Sequence, residues 1–256
     1  MVKISILTPS IRKDGLDIVK KALEGQTFKD FEWLIGTPFH MGKHFADVNM
    51  HWVEDDFEFG FWTLNRTYNR LFREAKGELL VSLQDWVYVN PDGLKKFWDN
   101  YQAVGPKALI SGVGDQYEKV DKWGKPEIKI WSDPRRTEKY GSFYECMPSD
   151  IEWNWAMFPR VAVFEAGGMD EKLDFLGFGG DQLQMGERLD MMGYKSYLDQ
   201  TNESFTIRHD RSAYNGQANW DDNHILFNGK YDKRKLELIE TGEWPVLHYL
   251  KKDDII

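Results

Sequence analysis

The chain has 256 residues, 41% hydrophobic and 15% aromatic, with a formal net charge of -9 and one cysteine, Cys146. That length allows one large domain or two small ones around a packed core. The acidity argues against nonspecific nucleic-acid binding, which needs clustered Lys and Arg, and a lone cysteine excludes an intrachain disulfide and fits a cytoplasmic location.

"KISILTP" (3–9) is strand-like and stops at a proline. "DGLDIVKKALEGQ" (14–26) sets Leu16, Val19 and Leu23 on one helical face, with Asp14 as its N-cap. "FEWLIG" (31–36) and "NMHWV" (49–53) read as strands. Residues 59–77 carry Phe61, Leu64, Tyr68, Leu71, Phe72 and Ala75 at helical spacing and stop at Gly77. "ELLVSLQD" (78–85) is an apolar run that ends at an acid, Asp85. "PDGLKKFWDNYQ" (91–102) predicts a helix with Pro91 in its first turn, and "KALISGV" (107–113) another strand. No apolar run nears the roughly 20 residues of a membrane span. The opening "MVKISILTPS" has no signal-peptide character.

Strands alternating with helices predict an α/β fold, a mainly parallel central sheet with helices on both faces. Ligands of such sheets bind beyond the carboxyl ends of the strands, where Asp85 stands. Residues 115–150 are a polar, aromatic excursion or hairpin. "WNWAMFPRVAVFEAGG" (153–168) regains strand character and leads to a turn. A helix, strands in "KSYL" and "ESFTIRH", and a charged helix near 231–241 follow. No repeat or linker divides the chain, so a single domain over 1–256 is expected.

The stretch "GFGGDQLQMGERLDMMGYK" (177–195) sets glycines directly before an acid. Gly179 and Gly180 let the backbone pack tightly and leave room for a ligand. Asp181 falls at the N-cap or first position of a helix in which Leu183, Leu189 and Met192 face inward and Gly193 ends it. A helix N-terminus favours the carboxylate anion. A cap and a chemical role both remain open for this acid.

Four stretches in order resemble the GT-A-fold glycosyltransferases, in particular family 2 and the galactosyltransferase C-terminal domain. "ISILTPS" with its helix and "GQTFKDFEWLIG" is similar to their opening. "NRTYNRLFREAKGELLVSLQDWVYVNPDGL" is similar to their helix, turn and metal-binding strand. "EAGGMDEKLDFLGFGGDQLQMGERLDMMGYK" resembles their glycine-rich acidic segment, and "IRHDRS" their late strand. The resemblance implies a Rossmann-like GT-A sheet, with 1–113 binding the nucleotide sugar, 114–211 holding the acceptor and catalytic groups, and 212–256 an extension. It implies a metal-dependent, inverting transfer from a nucleotide-sugar donor, a UDP-sugar, to a hydroxyl of a carbohydrate or glycoconjugate.

Such chemistry needs charge neutralisation at the leaving diphosphate and a base at the incoming hydroxyl. The resemblance gives Asp85 and His209 as ligands of Mn²⁺ or Mg²⁺, although "LQDWVYV" has one acid where two are usual. Asp210 would orient His209 or face solvent. The resemblance also makes Asp181 the general base, with Asp170 and Glu171 as the alternative acids. Thr8, Pro9, Arg12, Asn65, Arg66, Asn69 and Gln84 would border the donor, the three on the helix being otherwise a solvated face. The acid that reads the nucleotide after the second strand is missing, and Asp55 or Asp56 would substitute. Glu171, Gly179, Gly180, Trp153 and Trp155 would meet the acceptor, the two tryptophans as a stacking wall if strand alternation turns both to one face, or else as core.

Two other readings stay open. Lys119, Lys122, Lys125, Lys129, Arg135, Arg136 and Lys139 interleave with Trp123, Trp131 and Tyr140, which suits a modified, hydroxymethylated DNA base as acceptor, as in some phage systems. Acids interrupt that run. The single acid at 85 also suits a non-catalytic nucleotide-sugar-binding protein.

Overall fold

A computed structural model of the chain describes residues 2–12, 14–38, 50–54, 63–121, 125–175, 180–209 and 220–255. Its strands are β1 (Ile4–Pro9), β2 (Phe31–Thr37), β3 (Met50–Glu54), β4 (Leu79–Leu83), β5 (Val87–Val89), β6 (Ala108–Val120), β7 (Pro126–Trp131), β8 (Phe143–Glu145), β9 (Trp155–Pro159) and β10 (Lys195–Ile207). Its helices are α1 (Gly15–Glu24), α2 (Leu64–Glu74), α3 (Gly93–Val104), α4 (Arg160–Glu165), α5 (Asp181–Met191) and α6 (Trp220–Thr241).

The strands form one 10-stranded sheet in the order β3-β2-β1-β4-β9-β6-β10-β5, with β7 added to β6 and β8 to β10. β3, β2, β1 and β4 run parallel. β9 opposes both β4 and β6, which returns β6 and its parallel partner β10 to the common direction. The mainly parallel sheet expected from the sequence is therefore present, interrupted by β9 and edged by antiparallel β5.

Alternation along the strands builds two cores. Leu79, Val81 and Leu83 of β4 join Ile4, Ile6, Trp33 and Met157 on one face, under Leu16, Val19 and Leu23 of α1 and Leu94 and Phe97 of α3. Leu80 joins Leu7, Leu34 and Phe158 on the other, under Tyr68, Leu71 and Phe72 of α2 and Met185 and Leu189 of α5. A strand buried on both faces has no polar side to alternate, which is why β4 reads as a continuous apolar run.

Several boundaries differ from the sequence reading. α3 starts at Gly93 after the cap residue Asp92, so Pro91 lies outside its first turn. Asp14 stands at the N-cap of α1 but makes no side-chain capping bond. The last two expected strands are one, β10, with an irregularity between Asp199 and Glu203. "RVAVFE", read as strand, is helix α4, because Pro159 ends β9 and starts the helix with a fixed φ of -60°. The three-residue β5 is too short to carry a period. The 115–150 excursion is a hairpin of β6 and β7 followed by the edge pairing of β8 on β10.

Candidate active site

Three elements of common direction, β1, β4 and β10, deliver Arg12, Asp85 and His209 to one place just beyond their carboxyl ends. Asp85 is 4% exposed, and a buried carboxylate needs partners. Ser10 Oγ donates to its Oδ2 at 2.6 Å. Arg12 Nε donates to Oδ2 at 2.9 Å and its Nη2 to Oδ1, a two-pronged grip. Arg12 Nη1 donates to His209 Nε2. His209 Nδ1 lies 3.0 Å from the Ile207 carbonyl, an acceptor only, so Nδ1 carries the proton and Nε2 presents its lone pair to the guanidinium.

Trp86 holds that imidazole in place. Its indole stacks on His209, with ring centroids 5.3 Å apart. Ile207 N–H donates to the Trp86 carbonyl at 2.8 Å, tying the start of β5 to the end of β10. Trp86 takes a left-handed φ of +62°, a strained state for a bulky residue and of the kind that gathers at functional sites. Ser10 and Trp86 lie within the stretches that carry the resemblance, but neither is a site residue there. Trp86 was legible only as a neighbour of Asp85.

A second cluster forms where α2 meets α5. Gly180 is the N-cap of α5, with a φ of +79° that favours glycine, and Asp181 is the first helical residue. Asp181 is 4% exposed, and Asn65 Nδ2 donates to its Oδ1 at 2.7 Å. The same amide donates to Asp174 Oδ1 at 2.8 Å. Asp174 also caps α2 from outside, accepting from Asn65 N at 2.9 Å and from Arg66 N at 3.0 Å. Burial pushes the Asp174 carboxyl up to about 6, against the pull of those hydrogen bonds. Beside α2's Asn65, the fully buried Tyr68 sets its phenol 2.6 Å from Ser82 Oγ of β4. Burial raises its pKa.

The remaining expected residues divide. Asn65 and Asn69 are buried rather than on a solvated helix face. Asn69 Nδ2 donates to Glu171 Oε1 at 2.8 Å and to the Met169 carbonyl at 2.9 Å. Thr8 is enclosed in the sheet, donating to the Leu83 carbonyl at 2.7 Å and accepting from Trp33 Nε1 at 2.9 Å, and Pro9 is buried beside it. Gln84 is half-buried, its N–H 3.3 Å from the Asn154 carbonyl. Asp170 is gripped by Arg234 at 2.8 and 3.2 Å and by Gln184 at 3.1 Å. Burial disfavours its charge, but those bonds prevail and hold it below the ordinary carboxylate range. That places Asp170 in an anchor for α6.

The stacking wall of Trp153 and Trp155 does not form. β9 begins only at Trp155, so Trp153 lies in the preceding turn and strand alternation does not relate the two. Each is 1% exposed, and they pack in opposite cores. Gly179, Asp55, Asp56, Asp210, Lys122 and Trp123 lie outside the described residues. Most of the other hairpin cations are paired with acids: Lys129 and Arg136 on Asp115, Arg135 on Asp133, Lys119 on Glu127.

The residues at Asp85 and His209 fit a divalent ion by donor chemistry: a hard carboxylate and a neutral imidazole nitrogen that share one partner, as suits Mn²⁺. That partner is the Arg12 guanidinium. Among the described residues no cluster of three or more His, Cys, Asp or Glu adds to them.

The sequence matches no protein-family model and no curated protein. Among solved structures, the chain is similar to GalNAc-T7 with UDP, GalNAc and Mn²⁺, at a TM-score of 0.62 and 12% identity over 85% of this chain and 46% of that one. It is also similar to S. aureus TarS 1-349 in complex with UDP-GlcNAc, at a TM-score of 0.57 and 11% identity over 88% of this chain and 64% of that one. It thus spans about half of the first and under two thirds of the second. The fold of this chain is the GT-A fold of glycosyltransferases.

Proposed function

We propose that the chain is a glycosyltransferase that moves a sugar from a nucleotide-sugar donor, a UDP-sugar, to a hydroxyl of a carbohydrate or glycoconjugate, with inversion. One observation carries this reading: Asp85, His209 and Arg12 converge at the carboxyl ends of three strands of a GT-A sheet. Similar structures that contain UDP or UDP-GlcNAc support the choice of nucleotide.

Arg12 presents a planar fork of N–H donors matched to phosphate oxygens and opposes the charge that builds on the diphosphate as the sugar's C1–O bond breaks. Asp181 takes the proton of the acceptor hydroxyl while that oxygen forms the new bond to C1 from the opposite side. Asn65 steadies Asp181 through Oδ1. A divalent ion held by Asp85 and His209 would supply Lewis-acid charge at the diphosphate.

Asp181→Asn tests the base. Turnover should fall by roughly 10²–10⁴-fold, with donor affinity changed less than about threefold, because the donor is assigned to Arg12 and Asp85. A mutant that keeps full turnover removes Asp181 from the mechanism.

A further inference from the structure

We propose that Arg12 is a resident counter-cation: it occupies the Asp85–His209 pair in the free protein and yields it to a divalent ion only when a nucleotide diphosphate draws the guanidinium away. The proposal rests on the nucleotide-sugar reading for the second half of that statement, and on geometry alone for the first.

The guanidinium and an ion need the same lone pairs. Arg12 donates to both oxygens of Asp85 and to Nε2 of His209. The Asp85 side chain is 2% exposed and that of Arg12 14%, so this is a largely desolvated ion pair. A second cation brought to the pair meets the like charge of Arg12 and finds its ligand atoms already donated to. An ion therefore enters only as Arg12 leaves, and Arg12 leaves cheaply only if another anion receives it. A diphosphate beyond the same strand ends is such an anion, and the guanidinium fork matches it as well as it matches a carboxylate.

The ligands themselves are held by contacts other than the Arg12 side chain. Ser10 holds Asp85 Oδ2, Ile207 and Trp86 hold the imidazole, and the Trp86 indole is packed so closely on Gly15 that a Cβ there would lie 2.3 Å from it. Withdrawal of the arginine leaves a carboxylate and a lone pair still held in place. Nucleotide and ion then favour one another, and linkage makes the effect mutual: each raises the affinity of the other by the same factor.

The test is Mn²⁺ titration by calorimetry, with thermal melting in parallel, on the wild type, Arg12→Ala, the near-isosteric Arg12→Gln, and Arg12→Ala combined with Asp85→Asn. Without nucleotide, the Arg12 variants should bind Mn²⁺ about tenfold or more tightly than the wild type, and saturating UDP should raise the wild-type affinity by a similar factor. At one fixed concentration Mn²⁺ should raise the melting temperature of Arg12→Ala more than that of the nucleotide-free wild type, and lose its effect in the double mutant. Equal Mn²⁺ affinity in the wild type and the Arg12 variants overturns the proposal, as does binding that survives Asp85→Asn. If UDP binds the wild type yet leaves its Mn²⁺ affinity unchanged, the exchange is overturned. If UDP binds no variant, the nucleotide-sugar reading fails, and the metal comparison decides the role of Arg12 by itself.

Discussion

Asp174 shows how a single buried acid reports on the site. Its carboxyl is pushed up to about 6 from an ordinary 3.8, with burial as the first cause. Between those two values the folded chain holds a proton that the unfolded chain has released. The contribution of this group to stability therefore falls as pH rises from about 4 to about 6. Urea unfolding of the wild type and Asp174→Asn at pH 4 and pH 7 checks the sign. The wild type should lose on the order of 2 kcal/mol relative to the mutant between the two, and an unchanged difference would show that Asp174 is not desolvated as described. Above pH 6 the ionised carboxylate accepts from Asn65 and Arg66, so the amide that steadies Asp181 is best held in neutral solution. Asp85 was legible in the sequence as the acid at which an apolar run stops, and His209 only through the resemblance of "IRHDRS" to a late GT-A strand. Asp174 was not, because it caps α2 from 109 residues away and no local pattern connects the two.

At the scale of elements, the site depends on how α2, α4, α5 and the C-terminal tail are locked together. Gly168 takes a φ of +88°, and a Cβ there would lie 2.5 Å from Asn69 Oδ1. The turn after α4 therefore packs against the α2 face that carries Asn65. The tail closes over it, with Leu247 N–H donating to Ala166 and Leu250 N–H to Gly167, while Arg234 of α6 pairs with Asp170. This gives residues 231–255, which the sequence showed only as a charged helix within a C-terminal extension, a definite attachment. Trp153 is the apolar counterpart of that lock, with its ring 4.9 Å from Tyr68 and 4.4 Å from Phe158. Trp153→Ala should cost roughly 3–5 kcal/mol of stability in denaturant unfolding, as a large core truncation does. A loss under about 1 kcal/mol, the range of surface substitutions, would put the indole back among candidate sugar platforms. Of the two readings open for the tryptophan pair, core packing is the one present, because strand alternation does not reach back across the start of β9 at Trp155.

For the molecule as a whole, the sheet sets the polarity of function. β1, β4 and β10 share a direction, so their carboxyl ends deliver Arg12, Asp85 and His209 to one edge, and β9 brings its N-terminal end there from the opposite direction. The net charge of -9 and the pairing of Lys119, Lys129, Arg135 and Arg136 with neighbouring acids leave the hairpin poorly suited to hold a nucleic-acid backbone. No helix among the described residues is long and apolar enough to cross a membrane. Calorimetric titration of the wild type and Asp85→Asn with a panel of nucleotide sugars in the presence of Mn²⁺ decides whether this edge of the sheet holds a donor. One donor, a UDP-sugar, should bind the wild type in the micromolar to millimolar range common for enzyme substrates, and binding should weaken about tenfold or more in a folded Asp85→Asn. A wild type that binds no nucleotide sugar, or an Asp85→Asn that binds its donor unchanged, would contradict the account.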